Sequence, residues 1–275
     1  MPNELAGKVA IITGGARGIG AATARQFLHE GACVVIADVD REQGESLAED
    51  LGPHCAYKYT DVASRDDLSD LVAFTTERFG GLHIMFNNAG ISGRMVPSLL
   101  DEDFTDFQRI LEVDLLGVML GTQITARYMK DHGGGAIINT TSIGGLFAGR
   151  TVLTYRAAKA GVVHFTKCAA IDLAEYGVRV NCIAPGGIPT PLLSVAAADS
   201  TDENDAVALA LRAVMSEERP LNSTGSAEDI ANAATFLGSE RSRYITGVVL
   251  PVDGGMTAGN PRNVLPSIIA TTRTS

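Results

Sequence analysis

Short apolar runs alternate with longer amphipathic stretches along this chain, and the alternation limits the possible folds more than any other feature of the sequence. Seven runs have the composition of strands, several of them apolar enough for burial on both faces: residues 9–13, 33–37, 55–60, 82–86, 136–141, 178–184 and 248–252. Stretches with helical spacing separate them: 18–30, 41–51, 64–79, 104–131, 151–176 and 226–238. We therefore predict an α/β fold with a doubly wound, seven-stranded parallel sheet and helices on both faces.

One segment, residues 190–225, interrupts this alternation. It is too long for a plain connection and contains alanine-rich pieces with helical spacing. A segment of that length beside a doubly wound sheet is more often a lid than idle chain. We predict a substrate lid at about 190–225.

The charge balance and the cysteines exclude several functional classes. The chain has 32 acidic and 22 basic residues, a net charge of −10, and we therefore expect no nucleic acid and no membrane surface as a partner. Its four cysteines lack CxxC spacing, which argues against a metal site or a disulfide framework. The first apolar run is too short for a signal peptide, so the sequence favours a cytoplasmic protein.

The first predicted strand ends in the glycine-rich turn TGGARGIG, directly before a helix. Glycine permits positive φ angles and the close approach of a pyrophosphate, and a helix N-terminus offers free N–H groups to it. The alternative is a turn that only packs the helix on the strand. In this context we predict a dinucleotide cradle with cofactor contacts from Gly14, Arg17, Gly18, Ile19 and Gly20.

Asp38 ends the second predicted strand, 24 residues after Gly14. A carboxylate there can accept hydrogen bonds from both adenosine ribose hydroxyls and would repel the 2′-phosphate of NADP. The alternative role is an ordinary helix N-cap. Arg17 points the other way, since an arginine near the 2′ position favours NADP. We give Asp38 the greater weight and predict NAD.

Tyr155 stands four residues before Lys159 in the segment TYRAAKA. That spacing is about one helical turn, so both side chains leave the same face of a helix, roughly 5–6 Å apart at Cβ. The pair is either a functional one or a chance occurrence, and the surrounding motifs decide between these two interpretations.

Five motifs occur in the order and spacing of the short-chain dehydrogenases/reductases, which the chain resembles over roughly residues 5–258: TGGARGIG, NNAG at 87–90, TTS at 140–142, YRAAK at 155–159 and NCIAPGGIPT at 181–190. The resemblance implies a single Rossmann-type domain over 1–275. Within the family, the chain is most similar to NAD-dependent secondary-alcohol and hydroxysteroid dehydrogenases. These include plant enzymes of the secoisolariciresinol and xanthoxin dehydrogenase type.

The resemblance assigns catalytic roles to three residues. Tyr155 is implied to be the general acid/base, Ser142 to hold the substrate oxygen, and Lys159 to lower the pKa of Tyr155 and bind the nicotinamide ribose. A free phenol has a pKa of about 10 and is a poor base at neutral pH. One ammonium at about 4–5 Å favours phenolate by around 3–4 kcal/mol at an effective dielectric near 20.

Further cofactor contacts follow from the same motifs. Asp61 is implied to meet the adenine amino group and Val62 the adenine ring. Asn88 and Gly90 are implied to line the adenosine ribose. The nicotinamide carboxamide is implied to contact Pro185, Gly186, Ile188 and Thr190. For each residue the alternative is packing at a turn or a strand end.

Asp114 departs from the family pattern, which has an asparagine at this position, where it helps to bind a water that links the lysine to solvent. An ionised aspartate only accepts hydrogen bonds, whereas asparagine also donates them. A carboxylate can still hold the water and favours a charged Lys159, but it offsets part of the field of Lys159 on Tyr155. We predict a catalytic role for Asp114, with a neutral replacement as the alternative.

The segments PLLSVAAA and SIGGLFAG provide apolar side chains and little charge near the reacting centre. They favour a lipophilic secondary alcohol or ketone such as a steroid, terpenoid or lignan-like compound. Two alternatives are a 3-oxoacyl-(acyl-carrier-protein)-type reductase that uses NADPH and a non-catalytic NAD(H)-binding sensor or scaffold. The family implies a homotetramer that packs the helices at about 104–131 and 151–176 across a two-fold axis.

Overall fold

A seven-stranded parallel sheet lies at the centre of the computed structural model, which describes residues 3–190, 219–261, 264, 265 and 269. The strand order is β3-β2-β1-β4-β5-β6-β7, and each neighbouring pair is parallel. The strands are β1 (Val9–Thr13), β2 (Cys33–Asp38), β3 (Cys55–Tyr59), β4 (Ile84–Asn87), β5 (Gly135–Thr140), β6 (Val178–Pro185) and β7 (Val249–Val252). The predicted α/β sheet is confirmed, with strand ends at most two residues from those expected.

The helices of the described residues connect these strands: α1 (Gly18–His29), α2 (Arg41–Leu51), α3 (Arg65–Phe79), α4 (Phe107–Leu111), α5 (Gly117–Met129), α6 (Leu153–Leu173) and α7 (Ala227–Gly238). Several begin at a side chain that caps the first free N–H groups. Asp40 accepts from Gln43 at α2, and Ser64 accepts from Asp67 at α3. Most of the predicted lid, residues 191–218, lies outside the described residues.

Alternate residues of the central strands point to opposite faces of the sheet and belong to two hydrophobic cores, one on each face. On one face, Ile12 and Ile36 pack with Phe27 of α1 and Ile230 of α7. On the other face, Ile11 of β1 and Met85 of β4 belong to a second core. The helix residues in this core are Leu71 of α3, Met129 of α5 and Ala170 of α6. Helices therefore cover both faces, as a doubly wound sheet requires.

A buried amide network ties β4 and β5 to the helices above them. The side chain of Asn87 donates to Oδ1 of Asn139 at 2.9 Å, and Asn139 donates to Oγ1 of Thr166 in α6 at 3.0 Å. Asn87 also donates to Thr122 of α5 at 3.3 Å. These bonds satisfy polar groups that are costly to bury alone.

The predicted helix over 104–131 is interrupted. Phe104 has a φ angle of 54°, so regular helix begins only at Phe107. A π-helical turn, Glu112–Leu116, then joins α4 to α5, with right-handed helical backbone at both junctions. Single π turns are often found at functional sites, and this one contains Asp114.

The strand order reverses between β1 and β4, because β2 and β3 lie to one side of β1 and the later strands to the other. In such sheets, the crevice beyond the carboxyl ends of these strands is where ligands bind. Among the described residues, no helix combines the length and apolar character needed to cross a membrane.

Candidate active site

A cavity of about 960 Å³ opens beyond the carboxyl ends of the central strands, at the point where the strand order reverses. Every site residue predicted from the sequence lines this cavity, except Gly20 and Asp114. The two exceptions lie directly behind the cavity wall and act on residues within it, as described below. The structure thus brings together side chains that are up to 176 positions apart, from Gly14 to Thr190.

The turn after β1 has the backbone that the glycine motif predicts. Gly14 and Gly18 have positive φ angles of 60° and 52°. A Cβ atom on Gly14 would come within 2.8 Å of Cα of Ala89, and one on Gly20 would overlap the backbone of Gly14. Gly20 therefore lets α1 approach the turn closely, and the N-terminus of α1 opens into the cavity at Gly18 and Ile19. This cradle fits a dinucleotide pyrophosphate.

Thr13 and Asn88 bind the cradle to the turn after β4. Oγ1 of Thr13 accepts the N–H groups of Asn88 and Ala89 at 2.9 and 3.1 Å. The amide of Asn88 donates back to the carbonyl oxygens of Thr13 and Gly14 at 3.1 and 3.2 Å. Asn88 therefore holds the cradle in place as well as lining the cavity.

Asp38 lies at the end of β2 and lines the cavity. Its Oδ2 accepts the N–H of Ala16 at 3.0 Å, and its Oδ1 accepts the N–H of Asp40 at 3.0 Å. The N-cap of α2 is Asp40, so the alternative role that we considered for Asp38 belongs to its neighbour. Arg17 donates to Oδ2 of the same Asp40 at 2.6 Å.

Asp61 forms an ion pair with Arg109 at 3.0 Å. Its other oxygen accepts the N–H of Ala63 at 3.0 Å, so the carboxylate is fixed at the cavity wall. Val62 is buried beside it and contacts Gly117, where a Cβ atom would come within 2.8 Å of the valine. Sequence analysis missed Arg109, because 48 positions separate it from its partner.

The segment after β6 forms the opposite wall. The N–H of Gly186 donates to the carbonyl of Val252 in β7 at 3.0 Å, and the N–H of Ile188 donates to Gly186 at 2.9 Å. Ile188 is buried and faces the cavity together with Pro185. Thr190 also lines the cavity and is the last described residue before the predicted lid.

Three of the four predicted catalytic side chains, Ser142, Tyr155 and Lys159, line the cavity together. Nζ of Lys159 lies 5.5 Å from the ring centroid of Tyr155 and donates to the carbonyl of Thr140 at 3.2 Å. Ser142 hydrogen-bonds the Tyr155 side chain and accepts the N–H of Gly144 through Oγ at 3.1 Å. Lys159 is only 2 % exposed, so its ammonium acts with little screening by water.

The pKa of Tyr155 is raised above its ordinary value, opposite to the direction that we expected from Lys159. Burial of the hydroxyl is the larger cause, and the negative charge of Asp114 adds to it. The hydrogen bond with Ser142 and the positive charge of Arg156 lower the pKa and offset part of this rise. The protein alone therefore keeps Tyr155 protonated at neutral pH.

Asp114 lies behind Lys159 and is fully buried. Its Oδ1 accepts the N–H of Ile91 at 2.8 Å and lies 4.0 Å from Nζ of Lys159. Burial raises the pKa of Asp114, although Lys159 and the N–H of Ile91 act in the opposite direction. Its Oδ2 has no hydrogen-bond partner among the described residues. This buried oxygen is therefore available to bind a water or to carry a proton.

Gly90 lines the cavity beside this buried pair. A Cβ atom at Gly90 would come within 3.0 Å of Oδ1 of Asp114 and 3.3 Å of Nζ of Lys159. Glycine therefore leaves the two side chains room to approach each other and the cavity.

The chain is similar to known proteins over nearly its full length. A family model described as enoyl-(acyl carrier protein) reductase matches residues 14–257. Momilactone A synthase of Oryza sativa subsp. japonica is 43 % identical over 260 residues, which cover 94 % of this chain and 92 % of the relative. Secoisolariciresinol dehydrogenase of Forsythia intermedia is 37 % identical over 265 residues, covering 94 % and 91 %.

The crystal structure of levodione reductase is also similar, with a TM-score of 0.85 and 32 % sequence identity. The match covers 93 % of this chain and 99 % of that one.

Proposed function

This chain belongs to the short-chain dehydrogenase/reductase family, and from that membership and its site we propose that it transfers a hydride between NAD(H) and a lipophilic secondary alcohol or ketone. The family consists of oxidoreductases that use NAD(H) or NADP(H). The single observation that carries the proposal is the meeting of Ser142, Tyr155 and Lys159 in one cavity with the glycine cradle.

The side chains of the site support a proton transfer at the substrate oxygen. As phenolate, Tyr155 takes the proton of the substrate hydroxyl during oxidation, and as phenol it gives a proton to the substrate oxygen during reduction. Ser142 hydrogen-bonds the same oxygen and keeps it beside Tyr155. Lys159 supplies a buried positive charge that stabilises the phenolate once it forms. Bound nicotinamide supplies the hydride acceptor or donor and, when oxidised, a further positive charge.

The end of β2 favours NAD over NADP. Asp38 presents a carboxylate at the cavity wall, and Asp40 engages the guanidinium of Arg17, which a 2′-phosphate would otherwise attract. A 2′-phosphate would therefore meet negative charge without a free partner cation from this turn. Asp61 would meet the adenine as the family motif implies, with Arg109 holding its carboxylate.

The substrate end of the cavity is mostly apolar. Met95, Ile143, Phe147, Val152 and Met256 line the same cavity as Ser142 and Tyr155. Apolar walls around a few fixed polar groups are typical of sites for lipophilic small molecules. The names of the two plant relatives, momilactone A synthase and secoisolariciresinol dehydrogenase, agree with a terpenoid or lignan-like alcohol.

The proposal includes a cytoplasmic homotetramer. Leu116, Met119 and Ile171 are exposed apolar residues on the π turn, α5 and α6, where a second copy of the chain would cover them. Light scattering with sedimentation equilibrium would measure four copies, and a monomer at micromolar concentration would contradict this part.

A screen of lipophilic secondary alcohols tests the function. The full chain is incubated with each alcohol and either NAD⁺ or NADP⁺, and the reduced cofactor is measured by its absorbance. We expect turnover of at least one alcohol with NAD⁺ and much weaker turnover with NADP⁺. Preferential reduction of 3-oxoacyl thioesters with NADPH would favour the acyl-reductase alternative. Tight NADH binding without turnover of alcohols or ketones would favour the sensor.

A further inference from the structure

Arg156 follows the predicted catalytic tyrosine in α6, and its guanidinium turns back toward the loop that precedes the helix. Nε donates to the carbonyl oxygens of Arg150 and Thr151, both at 3.2 Å. Nη1 reaches the carbonyl of Phe147 at 3.5 Å, the limit of a hydrogen bond. One side chain thus binds three backbone carbonyls of the loop.

The loop has a shape that needs such support. Thr151 and Val152 have positive φ angles of 62° and 41°, which are unfavourable for β-branched residues. Gly149 makes room for the guanidinium, because a Cβ atom there would lie 2.6 Å from Cζ of Arg156. Strained backbone persists only where surrounding contacts hold it.

The same loop forms a wall of the cavity. Phe147, Thr151 and Val152 line it together with Arg156, and Val152 directly precedes the first turn of α6, which carries Tyr155. We propose that Arg156 is a positioning residue that clamps the loop of residues 146–152 as the wall of the substrate site. The clamp thereby sets how well the alcohol fits beside Tyr155.

The proposal assigns the role to the planar fork of arginine, which binds several carbonyls in fixed directions, rather than to its charge. The charge does act on Tyr155, whose pKa it lowers. Within the part of the chain that the structure describes, the titratable groups that act on or contact this tyrosine are Asp114, Lys159 and Arg156 itself. A role through charge alone predicts that Arg156→Lys behaves like the wild type.

Two variants separate the fork from the charge. Arg156→Lys keeps a positive charge and loses the fork. Gly149→Ala leaves Arg156 in the chain but places a methyl group where the guanidinium lies. The control is Arg150→Lys, a change at an exposed side chain of the same loop that retains a site for trypsin.

Limited trypsin digestion of the full chain gives a readout that needs neither cofactor nor alcohol. Cleavage after residue 150 is measured by mass spectrometry. We expect Arg156→Lys and Gly149→Ala to be cleaved there at least about fivefold faster than the wild type, because the loop is released. Arg150→Lys should be cleaved at the wild-type rate. Wild-type resistance in both test variants would overturn the clamp.

The kinetic part of the test rests on the proposed function. With an alcohol found in the screen, we expect KM to rise about tenfold in both test variants, because the released loop binds the alcohol less well, while kcat changes less. The low-pH limb of the kcat profile of Arg156→Lys should match that of the wild type. The double variant Gly149→Ala/Arg156→Lys should have a KM no higher than that of either single variant. An unchanged KM, or additive effects, would contradict the inference.

The two proposals fail in different ways. If no alcohol is oxidised by the wild type, the proposed function fails while the digestion result still tests the clamp. If the wild type is active and the loop of Arg156→Lys stays resistant, only the clamp fails. Gly149→Ala keeps the inference testable if Arg156→Lys does not fold.

Discussion

Nζ of Lys159 lies 4.0 Å from Oδ1 of Asp114, and both side chains are buried. The same carboxylate raises the pKa of Tyr155, while the ammonium lies 5.5 Å from the tyrosine ring. Two neighbouring, opposite charges therefore lie close to one phenol. In water such a pair would be screened, but here the surroundings exclude solvent.

Replacing Asp114 with asparagine should lower the pH of optimal alcohol oxidation. The negative charge of Asp114 raises the pKa of Tyr155, so its removal favours phenolate and lowers that pKa. The low-pH limb of kcat should move down by about one pH unit. Asp131→Asn, at an exposed carboxylate after α5, is the control. An unchanged or higher optimum in Asp114→Asn would refute this electrostatic account.

Tyr155→Phe should remove turnover and leave cofactor binding. The phenolic oxygen is the proposed proton acceptor, and loss of a general base costs about 10²–10⁴-fold in rate. NADH fluorescence titration should give a Kd within about twofold of the wild type, because the ring and its packing remain. Tyr176→Phe, at an exposed tyrosine, should retain full activity. Wild-type turnover in Tyr155→Phe would remove the basis of the assignment.

Asp38→Asn should weaken the preference for NAD over NADP. The change removes a negative charge that a 2′-phosphate would meet, and the ratio of kcat/KM for the two cofactors should fall at least about tenfold. Adding Asp40→Asn frees Arg17 from its 2.6 Å partner and should lower the ratio further. The ratio is measured with one alcohol and both cofactors. A preference that survives both changes would place cofactor selection elsewhere in the chain.

Thr166→Val should destabilise the fold without touching the site. The change leaves the buried amide of Asn139 without its acceptor at 3.0 Å, which costs about 1–3 kcal/mol of unfolding free energy. Thr75→Val is a matched control, because Thr75 is equally buried but donates to a helix carbonyl, Leu71, that already accepts a helical N–H. Urea unfolding measures both. Equal losses in the two variants would contradict a specific role for the amide network.

The architecture could be predicted from the sequence because each local pattern agreed with the sheet. Predominantly apolar runs, such as those in Val9–Thr13 and Cys33–Asp38, become central strands buried on both faces. The glycine spacing predicted the cradle for a local reason too, since glycine adopts positive φ angles such as those at Gly14 and Gly18 without steric cost.

Contacts between distant segments could not be predicted in this way. Arg109 meets Asp61 only because α4 lies over the end of β3, and nothing in the spacing of the two residues indicates it. The π turn around Asp114 and the left-handed backbone at Val152 are also set by tertiary packing. The raised pKa of Tyr155 follows from burial, which a helix pattern does not reveal.

The bonds from Thr13 to Asn88 and Ala89 join parts of the chain that are 75 and 76 positions apart. The nucleotide cradle is therefore complete only after β4 has docked beside β1, a late step for a long-range parallel pairing. During refolding, the gain of NADH affinity should thus follow the gain of helical signal rather than accompany it. Cofactor supply in the cell would then protect chains that have finished folding and leave the immature ones to chaperones and proteases.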